Sequence, residues 1–229
     1  LLSIPLIAVS SKTLAELEYL NQAVHLFDGL IGENGGVISL NGVTEHYGPS
    51  AEKIDAARAQ IKAAVHVPLG SFRTVSPEVI AAETGLSLED ATRAAQRDCS
   101  DPLIWQPTAK DVATAREIAA QWSLNLVKGG RFHTLCGPAS KGHAMKRMLE
   151  RLAVTQSNKT RNGAPKRYTT IALGDSPNDI PMLQEADKSE EHTSELQSHH
   201  DLVCRLLLEK KKTKKQKKKN THHKRSRIE

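Results

Sequence analysis

Strands alternating with amphipathic helices place this chain in the α/β class, with parallel crossover units. Three observations carry that reading. Residues 4–9 and 169–173 are continuous apolar runs, the pattern of strands covered on both faces. Helical periods with recognisable start signals stand between such runs. Short polar turns bearing hydroxyl, ammonium and carboxylate groups follow the carboxyl ends of the runs, where parallel sheets hold their ligands.

Each element has its own reason. The first strand ends at Ser10-Ser11-Lys12-Thr13, and a helix follows with Leu14, Leu17 and Leu20 on one face. Leu30-Ile31 and Val37-Ile38 read as short strands around the polar turn Glu33-Asn34-Gly35-Gly36. Residues 51–65 form an Ala-rich amphipathic helix anchored by Ile54, Ile61 and Val65. Ser76-Pro77-Glu78 opens another helix with a cap residue and a proline in its first turn. Ser87 opens the next, through Ala95. Leu103-Ile104-Trp105 is a strand, 109–122 a helix, 124–127 a strand and 131–135 its partner. Ser140 caps a helix to about Leu152, a polar loop covers 156–166, and strand 169–173 ends in Gly174-Asp175-Ser176-Pro177-Asn178-Asp179. A short helix then runs to Glu185.

The chain has 229 residues and a net charge of +6, but the excess is local. From Ser189 onward 12 Lys/Arg face 6 Asp/Glu, so the preceding residues balance to zero. That excludes a general polyanion-binding surface outside the tail; the expectation is no nucleic acid and no membrane partner. No apolar run is long enough to span a bilayer. Three cysteines without paired spacing exclude a disulfide framework or zinc motif and suit a reducing, cytoplasmic setting.

The candidate chemistry sits at strand ends. Ser10 follows the first strand, Lys141 lies in the first turn of the helix after Ser140, and Asp175 follows the last strand. A hydroxyl, an ammonium and the carboxylates of Asp175 and Asp179 suit a phosphate and a hard divalent cation such as magnesium. Read singly, Ser10 and Ser11 also fit helix caps, Lys141 a surface lysine, and Asp175 and Asp179 turn or cap residues.

Taken in order, these residues resemble the haloacid dehalogenase superfamily of phosphatases. Ser10 matches its second motif, Lys141 its third, and residues 174–179 its fourth, GDxxND. Glu33-Asn34-Gly35 matches the turn of the subclass with an inserted α/β cap. Within that subclass, residues 9–13, 84–87, 102–105 and 130–133 are similar to the mannosyl-3-phosphoglycerate phosphatase family. The resemblance implies a Rossmann-like parallel core at 1–42 and 137–187 and a cap at 43–136. It implies a magnesium-dependent hydrolase of a small-molecule sugar phosphate. Ser10 and Lys141 would act on the phosphoryl group, Asp175 and Asp179 would hold the metal, and Ser10, Ser11, Lys12, Arg131, Lys141 and Asn178 would bind substrate. Arg131 is the candidate for an oxyanion of the leaving group, while Trp105 and Phe132 belong to the core.

One departure matters. The family's first motif, DxDGT, supplies the nucleophilic aspartate and the general acid/base, and it does not occur in these 229 residues. Its strand lies between those carrying motifs two and four, so the expectation is a fragment with its first core strand missing, two open apolar edges, poor solubility and no turnover. Residues 189–198 and 201–209 resemble a translated sequencing adapter followed by a lysine run. Segment 188–229 is accordingly expected to be a disordered tail outside the fold.

Overall fold

The computed structural model describes residues 4–157 and 168–191, and the backbone of Cys204–Lys210. In chain order, β1 (Leu6–Val9), α1 (Leu14–Val24), β2 (Gly29–Gly32), β3 (Val37–Leu40) and β4 (Val43–His46) come first. Then follow α2 (Ala51–Ala64), β5 (Gly70–Ser71), α3 (Pro77–Thr84), α4 (Leu88–Ala95), β6 (Ser100–Ile104), α5 (Ala109–Gln121), β7 (Asn125–Lys128) and β8 (His133–Cys136). The chain continues with α6 (Lys141–Ser157), β9 (Tyr168–Gly174), α7 (Ile180–Glu185), β10 (Lys188–Glu191) and β11 (Cys204–Lys210). The α/β class holds, in two sheets. The larger runs β10-β9-β11-β1-β2-β3-β4 and the smaller β5-β6-β8-β7. No helix among the described residues is long and apolar enough to cross a membrane.

Local chemistry explains the helix starts. Thr13 caps α1 and Thr108 caps α5, each in a reciprocal capping box with the acid three residues on, Glu16 or Asp111. The larger sheet buries Ile7, Val9, Ile31 and Ile38 against Met145, Met148 and Met182 of α6 and α7. The smaller sheet, here the cap, has its own core, with Ile54 and Ile61 of α2 and Ala115 and Ile118 of α5 against Leu103 and Leu135. Trp105 packs at the margin of that cluster, and Phe132 meets Phe72 edge-on at 5.1 Å.

One expected boundary moves. The cap was expected to begin at 43, yet β4 pairs antiparallel with β3 in the larger sheet, Leu40 opposite Val43. The reason is a two-residue turn, Asn41-Gly42, with φ of 53° and 75°, the geometry whose twist suits a tight hairpin. The chain therefore leaves the larger sheet after His46. It returns after Cys136, and the two crossings pass at Pro49 and Gly137, where a Cβ on the glycine would come within 2.7 Å of the proline Cδ.

Two stretches of segment 188–229 pair in the larger sheet. β10 pairs parallel with β9, and β11 lies between β9 and β1, antiparallel to both. Two strands with unpaired inner edges leave a row of unmatched N–H and C=O groups, and a single extended segment satisfies both rows. The open edges expected at β1 and β9 are thus filled, in reversed direction, by residues expected to stand outside the fold. The rest of that tail, and most of the loop expected at 156–166, lie outside the described residues.

Candidate active site

The ends of β1 and β9 lie on either side of β11, two strand spacings or about 10 Å apart. Ser10 follows β1, nearly buried, and its backbone is fixed on both sides. Its N–H donates to the Ile31 carbonyl at 2.9 Å, and its own carbonyl accepts from Asn34 N at 3.1 Å. The Ser10 hydroxyl accepts from Lys12 N at 3.2 Å, leaving its proton to be donated elsewhere.

Lys141 is the first residue of α6, positioned by Ser140, whose carbonyl and hydroxyl accept from Ala144 N and His143 N. It is 4% exposed, and its Nζ donates to Asp179 Oδ1 at 2.5 Å. Asp179 is fully buried; its Oδ2 accepts from Asp175 N at 3.2 Å and Ser176 N at 3.0 Å. A carboxylate with a lysine on one oxygen and two amides on the other is an anchor for Lys141 and the loop. Both of its oxygens face protein donors, one on Oδ1 and two on Oδ2. Gly174 belongs to the same construction, since a Cβ there would stand 2.6 Å from the Asp179 Cβ.

Asp175 differs from its neighbour. It is half-buried, and its carboxylate forms no hydrogen bond or ion pair with another described residue. Magnesium binds through one or two carboxylates and completes its shell with water and phosphate oxygens, so Asp175 fits as one such ligand. No group of three or more His, Cys, Asp or Glu suited to a metal occurs among the described residues.

The remaining expected residues divide. Asn178 joins the cluster, donating from Nδ2 to Asn34 Oδ1 at 2.8 Å. Ser11 is exposed on the Ser10 loop, and its carbonyl accepts from Arg97 Nη1 at 3.1 Å. Lys12, on the same loop, pairs with Glu16 at 3.2 Å. Arg131 stands apart, exposed in the β7–β8 connection, with Nη1 donating to the Thr84 carbonyl at 2.8 Å. Sequence reasoning assigned no role to Arg97, or to Glu33 beyond a motif match. The available signal at 33–35 was two residues, Glu33 and Asn34, ahead of a glycine in a turn that places both in the left-handed region, at φ 49° and 58°.

No family model matches this chain. A protein of Methanococcoides burtonii named glucosyl-3-phosphoglycerate/mannosyl-3-phosphoglycerate phosphatase is 30% identical over 202 residues, covering 80% of this chain and 70% of that protein. Among solved structures, a haloacid dehalogenase-like hydrolase from B. subtilis superposes with a TM-score of 0.52 at 18% identity, covering 80% of this chain and 75% of that one. A sugar phosphatase described as HAD subclass IIB superposes with a TM-score of 0.54 at 14% identity, over 80% and 72% of the respective chains.

Proposed function

We propose, from the premise that this chain belongs to the haloacid dehalogenase superfamily of phosphatases and within it to the glucosyl- and mannosyl-3-phosphoglycerate phosphatases, that its site takes the phosphomonoester of mannosyl-3-phosphoglycerate. The observation that carries the proposal is the buried Lys141–Asp179 pair at the end of β9, on the strand-end face that also bears Ser10. A lysine ammonium has three donors, and Asp179 takes one of them. The others are available to a phosphoryl oxygen, and because Lys141 is itself buried its charge is worth more there than in water.

In this reading the Ser10 hydroxyl donates to a second phosphoryl oxygen, and Asn178, steadied by Asn34, orders the loop beside it. Asp175 would hold magnesium, which supplies Lewis-acid polarisation of the phosphate when bound. Of the two cations offered to the carboxylate of the leaving group, Lys12 shares the Ser10 loop, whereas Arg131 serves only from the cap. The nucleophilic step needs an aspartate that these 229 residues do not contain in the family's motif. The chain as it stands therefore binds the phosphate and does not turn it over.

Calorimetric titration of the 229-residue chain with inorganic phosphate, with and without magnesium, tests this. Binding that strengthens with magnesium and disappears in Lys141→Ala and Asp175→Asn supports the reading. Phosphate binding indifferent to both substitutions, or magnesium-dependent turnover by the bare chain, overturns it.

A further inference from the structure

The turn at residues 33–36 touches both parts of the molecule. Glu33 is 2% exposed and carries a left-handed φ of 49°, with Asn34 directly after it at 58°. Two consecutive non-glycine residues in that region persist only where surrounding contacts hold them. The Glu33 N–H donates to the Lys12 carbonyl at 2.8 Å, and the contacts of its side chain belong to the cap. One carboxylate oxygen accepts from Asp98 N at 2.8 Å; the other accepts from Cys99 N at 3.0 Å and Ser100 Oγ at 2.6 Å. This gripped segment joins α4 to β6 and is neither of the two places where the chain crosses between the sheets. It is a non-covalent tether, beside those that Thr13 makes to the Arg93 carbonyl and Arg97 makes to the Ser11 carbonyl.

Gly36 reinforces it, its carbonyl accepting from Tyr47 N, Gly48 N and the Cys99 thiol. On its other side the turn meets the site: Asn34 N donates to the Ser10 carbonyl, and Asn34 Oδ1 accepts from Asn178. Gly35 lies against the backbone of Ser140, next to Lys141, so closely that a Cβ would stand 2.5 Å from the Ser140 carbonyl oxygen. A turn of four residues therefore registers one cap loop against three segments of the site.

We infer that Glu33 is a positioning residue that fixes the orientation of the cap relative to the strand ends bearing Ser10, Lys141 and Asp175. Its functional sense rests on the phosphatase reading, in which the cap encloses the part of the substrate that leaves. The role requires a carboxylate. Three donors converge on two acceptor oxygens, and a carboxamide would replace one acceptor by an NH2 facing donors.

Spin labels at Ala23→Cys on α1 and Ala63→Cys on α2, both exposed positions, report the orientation of the cap by pulsed distance measurement in a Cys204→Ser background. Cys99 and Cys136 are buried, and burial pushes their thiols up to about 12 and about 11; chains carrying only these two cysteines, in each Glu33 background, give the label they take up. The expected result is one narrow distance with Glu33, a broadened or multiple distribution in Glu33→Gln, and partial recovery of the narrow peak in Glu33→Asp. A folded Glu33→Gln chain with an unchanged distribution overturns the inference. Should that variant not fold, amide exchange at Asp98 and Cys99 in Glu33→Asp decides: at least tenfold faster exchange supports the clamp, and unchanged exchange overturns it. Inorganic phosphate titrated into the same labelled chains separates the two ideas, because loss of the phosphatase reading leaves the distances standing.

Discussion

Each part of the molecule buries an aspartate against a cation, and the two arrangements differ in what they leave open. In the cap, Arg58 reaches Asp101 at 2.5 Å and Asp55 at 2.8 Å, and Asp101 also accepts from Arg73 N. The guanidinium is shared between two acids, and the buried acid is filled by cap donors, so the network closes on itself. In the larger sheet, Asp179 is filled in the same way, but its lysine spends one donor and keeps the rest. Burial therefore does not mark a site for chemistry; what marks it is a buried cation with unspent donors at a strand end.

The largest effect expected from breaking this contrast is at Asp179. Asp179→Ala removes the partner of a buried lysine and of two loop amides, and should cost about 3–5 kcal/mol in urea unfolding. Phosphate affinity should fall with it. Arg58→Ala should cost less, about 1.5–3 kcal/mol, and leave phosphate affinity within twofold. A large loss of phosphate binding in Arg58→Ala would erase the distinction between the pairs.

The cap pair also has a distinctive pH response. Burial raises the Asp101 carboxyl above its ordinary value of 3.8, with Ser71, Arg58 and the Arg73 backbone opposing. Between the unfolded and the raised folded value the native state holds the extra proton, so this group's contribution falls as pH rises through that window. Asp90, lowered by its hydrogen bond to Arg93, contributes with the opposite sign: its stabilisation is present above its unfolded value and is lost on acidification. Unfolding of Asp101→Asn and Asp90→Asn followed between pH 3 and 7 should therefore show slopes displaced in opposite directions from the parent.

Smaller effects sharpen the contrast between linked and local contacts. Thr13 caps α1 and also donates to the Arg93 carbonyl of the cap, whereas Thr108 serves its own helix and Asp111. Thr13→Ala should cost about 1–2 kcal/mol and Thr108→Ala about 1 kcal/mol by thermal unfolding. At the bottom of the scale, Lys146→Ala breaks an exposed pair with Glu185 and should cost less than about 1 kcal/mol.

The sequence made legible whatever depends on neighbours in the chain. The apolar runs at β1 and β9, the caps at Ser87 and Ser140, the proline-bearing helix start after Ser76, and the loop bearing Asp175 are local statements. β4 is legible as well, because Leu40-Asn41-Gly42-Val43 is a hairpin signal. Asp179 is a different case: its type and position are legible, but its pairing with Lys141, 38 residues earlier, is made by tertiary folding. Glu33 is similar, since its three donors lie 65 to 67 residues away. The tail differs again. It contains the short apolar run Leu206-Leu207-Leu208, and two unpaired strand edges accept an extended segment through its backbone.

The meeting of the two crossings at Pro49 and Gly137 has a topological consequence. About ninety residues depart from the larger sheet and come back through a single point, so the cap is a closed loop whose mouth is one contact wide. A connection of a few residues would seal that mouth after excision, at little cost in closure entropy. Equally, the loop could be reopened elsewhere, as in a circular permutant, without disturbing either core.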